Sequence, residues 1–190
     1  MLVDVAFPLG ASQFAVLREE CFRENERLTG SRFLRGMVSL GGLNRDISRA
    51  QLDDLSSFVH EFVKRYRIGL KIVLSTASVI DRFATTGVIC SAMLRPLNIT
   101  GPAARASGGK VDVRLNHPYG IYDRFAPKPQ RFCDGDVLSR FTIKASEIMD
   151  SLDLIGQFIA NIPEGDILSA ASIHDGYTLA MVESARGQNL

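Results

Sequence analysis

Few side chains in this sequence stand at spacings that carry out chemistry. Cys21, Cys90 and Cys133 are far apart and solitary. No C-x-x-C pair offers two thiolates to a metal, and no disulfide framework can be drawn, which fits a reducing environment. His60, His117 and His174 lack metal-ligand spacing, and none pairs by motif with a serine or cysteine nucleophile. Hydrolase chemistry therefore has no foothold. Gly41-Gly42 is expected to form a turn at positive φ and not a phosphate cradle. No G-x-G-x-x-G follows a strand and no P-loop is present, so nucleotide binding is unsupported. No metal site is assigned.

Charged groups offer more. Arg105, Asp112 and Arg114 are opposite charges close in sequence and bracketed by glycines. They form either a functional loop or an ion-pair latch that fixes a long loop. His117-Pro118-Tyr119 lies in the same stretch and could face a partner. Asp4, flanked by Val3, Val5 and Ala6, would need a partner if buried; otherwise it is an exposed carboxylate near a terminus.

The elements that must position these groups are mostly helical. From Ala11 to Leu28 the apolar residues Phe14, Leu17, Cys21 and Leu28 keep helical spacing, and the opposite face, Arg18 to Arg27, is charged. That charged run is a solvated face with pairs one turn apart. Gly30 is the expected stop. Ser48 with Gln51 predicts a capping box, after which Leu52, Leu55, Val59, Phe62 and Tyr66 step along one face. His60 sits one position off that stripe, a surface or packing histidine. Short helices are expected over Thr76 to Phe83 and Ser91 to Leu97. The strongest signal runs through Leu138, Phe141, Ala145, Ile148, Leu152, Ile155, Ile159 and Ile162, a stripe that should bury against other helices until Pro163 ends it. Tyr177 to Glu183 reads as a strand. Between Thr100 and Asp134 glycine, proline and basic residues alternate without period, as in a long functional loop. The fold class is mainly α, a helical bundle with a long glycine/proline-rich insertion and a small β element, and residues 1–190 read as a single domain.

Composition bounds the function. With 190 residues and 46% hydrophobic content the chain can bury a proper core, which excludes disorder. Twenty-two basic against 21 acidic residues lack the surplus of a free-standing nucleic-acid binder. The opening residues lack the basic n-region of a signal peptide. The longest apolar run, Ile68 to Ile80, contains Lys71 and falls short of the about 20 residues a spanning helix needs.

Several stretches, in order, carry a resemblance: Leu28-Thr-Gly-Ser-Arg-Phe33, Gly41-Gly-Leu-Asn-Arg-Asp46, Asp81-Arg-Phe-Ala-Thr-Thr-Gly87, Gly101-Pro-Ala-Ala-Arg-Ala-Ser-Gly108, Asp112-Val-Arg114, Pro118-Tyr119 with Tyr122-Asp123, and Gly135-Asp136 with Arg140. Together they resemble the large-subunit family shared by the 49-kDa subunit of NADH:quinone oxidoreductase and the energy-converting nickel–iron hydrogenases. Asp4-Val-Ala-Phe and Leu17-Arg-Glu look closer to the formate-hydrogenlyase branch.

The resemblance implies the central part of a longer large subunit, or a truncated relative. Family members carry an upstream segment, with a C-x-x-C pair in hydrogenases or a histidine and a tyrosine of the quinone site in the other branch. A second hydrogenase pair lies downstream. Neither region is expected within these residues, so this chain binds no cofactor itself. A nickel–iron centre or a quinone is implied for the full subunit, with iron–sulfur clusters in a partner. Asp4 matches an aspartate near the quinone cavity. Arg186 matches an arginine that hydrogenases place over the active metals, where a guanidinium could stabilise a developing anion; Ala185 stands where the family has proline. The Arg105–Arg114 segment would lie near the redox centre or a partner interface. Implied partners are an iron–sulfur small subunit and membrane-arm subunits. The complex would be peripheral on the cytoplasmic, inner side of the plasma membrane, and this chain alone inactive. The alternative is a metal-free structural or assembly relative.

Overall fold

A computed structural model describes residues 1–172 and 175–189. Its frame is three long or middle-sized helices set side by side: α1 (Pro8–Thr29), α2 (Arg49–Ser75) and α6 (Val137–Ala160). Proline opens α1, where its missing N–H costs nothing. Gly30 closes it in the left-handed conformation at φ 73°, its N–H donating to Glu26 O. The capping box at the start of α2 is present. Gln51 N–H donates to Ser48 Oγ at 3.3 Å, and Ser48 N–H donates to Gln51 Oε1 at 3.0 Å. Asp136 caps α6: its Oδ1 accepts the Ser139 N–H and its Oδ2 accepts the Thr85 N–H, each at 2.8 Å. The second bond fastens α6 to the end of α3 (Ala77–Phe83).

Two apolar clusters hold the frame. Leu2, Val73, Val79 and Phe83 are buried together, with Phe7, Phe14 and Phe141 packed against them. Leu17, Phe62 and Tyr66 form the other, with Phe58, Leu70, Met149 and Leu152 around them. Burying each such side chain contributes about 1.5–3 kcal/mol. Tyr66 keeps its hydroxyl satisfied by donating to Ala145 O at 3.3 Å, and burial pushes its pKa up to about 12. The charged face of α1 is solvated as expected, with Arg23 on Glu19 and Arg27 on Glu24.

Four expectations are corrected. Ser91 to Leu97 is not a helix but a 3-10 turn over Ser91–Met93 followed by irregular turns. Met93 and Leu97 stay 48% and 66% exposed, so little burial supports a helix here, and Pro96 lacks an N–H. The Thr100–Asp134 stretch is not one loop, for it contains α4 (Gly101–Ala106) and α5 (Val113–Asn116). These turns are too short to show a period, and burial of Pro102, Ala104, Ala106 and Val113 holds them. The Tyr177–Glu183 strand shrinks to β3 (Val182–Ser184), paired with β4 (Gly187–Asn189), while Tyr177 and Leu179 are exposed with no strand to pair with among the described residues. On α6 the buried positions include Ile143, Asp150 and Leu154, whereas Ile148 of the expected stripe is 42% exposed. This helix is covered by α4 on one side and α2 on another, so its buried surface follows two neighbours and not one stripe.

The expected Gly41-Gly42 turn is shifted by one residue: Leu40 and Gly41 turn the hairpin of β1 (Val38–Ser39) and β2 (Gly42–Leu43), and Gly42, paired with Ser39, opens β2; the two glycines stand at φ 88° and 154°. Only glycine fits. A Cβ at Gly41 would stand 2.1 Å from Ser169 O, and one at Gly42 2.1 Å from Ile167 O. Leu43 N–H donates to Ile167 O at 2.8 Å across this approach.

Candidate functional site

The short helices of the middle segment bring five charged side chains into one buried cluster. Arg105 on α4 donates through Nε to Glu147 of α6 at 2.6 Å and through Nη1 to Glu183 of β3 at 3.1 Å. The same Nη1 reaches Val111 O at 3.1 Å and stands 3.5 Å from Asp112. Arg114 on α5 grips Asp112 with Nε and Nη2, at 3.0 and 2.7 Å. Glu183 accepts the Val113 N–H with its other oxygen. Arg105 is 3% exposed, and its Nη2 is the buried side-chain donor left without an acceptor among the described residues.

Asp112 responds to this setting. Burial works to raise its pKa, but the Arg114 and Arg105 guanidinium groups outweigh it and hold the carboxyl below its usual value. Arg114 is shifted upward, chiefly by its bond to Asp112. Tyr122 is pushed up by burial and sits within the field of Arg114.

Beside the cluster opens a cleft of about 270 Å³, lined in part by Arg114, Lys144, Glu147, Ser151, Glu183 and Ala185. A second, larger groove of about 480 Å³ is apolar, formed by Leu2, Val3, Phe14, Tyr66, Phe141 and Ile148 among others. Lys144 and Ile148 line both. The two depressions thus make one track along α6, apolar toward the N-terminal residues and charged under the β3–β4 hairpin. The exposed Ile148 lies on it.

The residues singled out from sequence divide accordingly. Arg105, Asp112 and Arg114 meet as an ion-pair latch. Asp4 is not buried: it is 78% exposed, with Oδ2 2.7 Å from the Met1 amine, next to Val3 on the rim of the apolar groove. Arg186 is exposed in the β3–β4 turn, where its N–H donates to Ser184 Oγ, next to Ala185 on the rim of the charged cleft. Asp4 and Arg186 line neither depression themselves; their sequence neighbours Val3 and Ala185 do. His117 is exposed at the end of α5. Tyr119 is half-buried and packs edge-on against Tyr122, whose ring touches Phe158 of α6. His60 is exposed on α2, and His174 lies outside the described residues.

Sequence reasoning missed Glu147, Glu183 and Lys144. Glu147 stood between stripe positions Ala145 and Ile148, and nothing in a helical period marks which polar residue turns inward. The described residues contain no group of three or more His, Cys, Asp or Glu that could hold a metal. The three cysteines are free and do not fit a nickel–iron centre within this stretch.

The comparisons with known proteins bear on this arrangement. Residues 11–188 match the family model of the respiratory-chain NADH dehydrogenase 49 Kd subunit. The chain belongs to this family. It is 32% identical over 179 residues to an NADH-quinone oxidoreductase protein of Phocaeicola vulgatus, covering 90% of this chain and 34% of that protein. An NADH-quinone oxidoreductase protein of Opitutus terrae is 30% identical over 167 residues, covering 85% of this chain and 39% of that one. Among solved structures, a chain of the membrane-bound sulfane sulfur reductase, an archaeal respiratory membrane complex, superposes with a TM-score of 0.87 at 25% identity, covering 97% of this chain and 53% of that chain. The chain thus spans between about a third and a half of the relatives it matches. No described helix is long and apolar enough to cross a membrane.

Proposed function

We propose that this chain is the central segment of the large subunit of a multi-subunit, membrane-associated oxidoreductase of the quinone-reducing type. The observation that carries the reading is the track along α6, apolar at Phe14, Tyr66, Phe141 and Ile148 and charged at Lys144, Glu147 and Glu183. An apolar slot that ends on ionisable groups suits a molecule with an apolar ring and tail whose reduction consumes protons. Electrons would come from iron–sulfur clusters of a partner protein, and the Lys144 ammonium would stand at the charged end as a hydrogen-bond donor to the ring oxygens. Asp4 and Arg186, the sequence neighbours of Val3 and Ala185 on the two depressions, would face the quinone cavity from this chain. The complex would sit on the cytoplasmic side of the membrane, against membrane-arm subunits.

The decisive experiment is purification of the full-length product from its native host, with identification of co-purifying subunits, nickel and iron assays, and a quinone-reduction assay. An iron–sulfur subunit with quinone reduction and no stoichiometric nickel is the expected result. Stoichiometric nickel with hydrogen oxidation would move the protein to the hydrogenase, formate-hydrogenlyase-like branch. A metal-free, partner-free product would overturn the reading in favour of a structural or assembly relative.

A further inference from the structure

We infer that the C-terminal half of α2 is a docking groove for an acidic amphipathic helix of a partner protein in the complex. The inference rests on the multi-subunit reading above. Along this half of the helix Lys64, Arg67, Ile68, Lys71 and Leu74 are exposed, and their spacing of three and four sets them on one face. Ile68 is 57% exposed and Leu74 42%, an unusual amount of aliphatic surface between cations. Lys64 is compensated by Glu61 at 3.3 Å. Among the described residues no carboxylate lies within ion-pair distance of Arg67 or Lys71. The chain as a whole carries a formal charge of +1, so this local surplus does not reflect a generally basic protein.

The surface is shallow on α2 itself and deepens between α2 and α6. One depression of about 440 Å³ is lined by Arg67, Leu70, Lys71, Leu74 and Ser75. A second, of about 390 Å³, shares Arg67 and Leu70 and continues past Met149 to Lys128, Asp150 and Asp153. Leu70, Leu74 and Met149 give the groove an apolar floor. On the far rim Lys128 is already neutralised, with Nζ 2.7 Å from Asp153. The unmet positive charge therefore stands on the α2 rim alone.

Charge complementarity selects the occupant. Arg67 and Lys71 are one turn apart, with Cβ atoms about 5–6 Å from one another. Carboxylates spaced i, i+4 on a partner helix match them, while an apolar side chain between seats on Leu70 and Leu74. An anionic bilayer fits less well, because a flat plane of headgroups cannot enter between α2 and α6 to reach Leu70 and Met149.

The test uses the native complex. A zero-length carbodiimide, which joins amines to carboxylates, should link Lys71 to an Asp or Glu peptide of another subunit. R67E/K71E should lower recovery of that subunit about tenfold or more. The charge-conserving R67K/K71R should retain it, and carboxylate-to-lysine reversal on the cross-linked partner peptide should restore R67E/K71E. A full complement of subunits in the R67E/K71E complex, with normal helical content, overturns the inference and leaves the proposed function standing. Lys71 cross-links confined to this chain, together with Lys71-dependent binding to phosphatidylglycerol vesicles, would replace the partner helix with a membrane. Recovery without any partner removes both proposals.

Discussion

Arg105 and Glu183 are 78 positions apart in sequence and meet at 3.1 Å, with both side chains almost wholly buried. Glu183 Oε1 accepts from α4, and its Oε2 accepts from the first residue of α5. One carboxylate thereby ties the β3–β4 hairpin to two short helices that have little core of their own. Arg105 extends the tie to α6 through Glu147.

Removing the cation should be costly. R105M leaves Glu147, Glu183 and Asp112 buried without their shared partner, and a loss of about 3–5 kcal/mol is expected. R105K should recover little, because a single ammonium lacks the planar fork that serves Glu147 and Glu183 from separate nitrogens. Thermal unfolding of the purified full-length protein tests both; an unshifted transition would show that the cluster contributes nothing net.

Acid should weaken the same region. Burial raises the Asp112 pKa, but Arg114 and Arg105 pull it below the ordinary value by more. A group depressed in the folded state stabilises above its unfolded pKa, about 3.9 for aspartate, and that contribution is lost as pH falls through the lower folded value. Stability should therefore decline below about pH 4, and D112N should flatten that limb while lowering stability at neutral pH. The chain has no tryptophan, so far-UV circular dichroism is the suitable signal.

The cap of α6 gives a more local outcome. Asp136 serves Ser139 and Thr85 with separate oxygens, and D136A removes both bonds. A cost of about 1–2 kcal/mol is expected from the cap alone. Faster amide exchange at Thr85 and over the first turn of α6 would identify the cause, whereas uniform exchange across the chain would argue for a different one.

Hairpin docking depends on two glycines. A Cβ on Gly101, at φ 69°, would stand 2.5 Å from Gly187 Cα, and one on Gly187 would stand 2.7 Å from Thr100 Oγ1. G101A should lift the hairpin from α4, speeding tryptic cleavage at Arg186. G156A, on the exposed face of α6 with open space around it, should instead gain about 0.5–1 kcal/mol. Equal trypsin sensitivity of G101A and wild type would show that the contact does not anchor the hairpin.

By itself the sequence determined the local devices: the Gly30 stop, the Ser48–Gln51 box and the Asp136 start of the long helix. Each depends on side chains within four residues of one another, so the spacing states the interaction. The order of short motifs likewise carried the family. Tertiary structure decided the rest. Packing of Gly101–Ala106 against α6 and of Val113–Asn116 against β3 makes these short helices, and only the fold brings Glu147 and Glu183 to Arg105. It also left Ile148 open on the track and turned Asp4 to solvent. A helical period reports that a face is apolar; it does not report which neighbours exist to cover it. Long-range ion pairs have no period at all, because the distance that matters is set by how the helices stack.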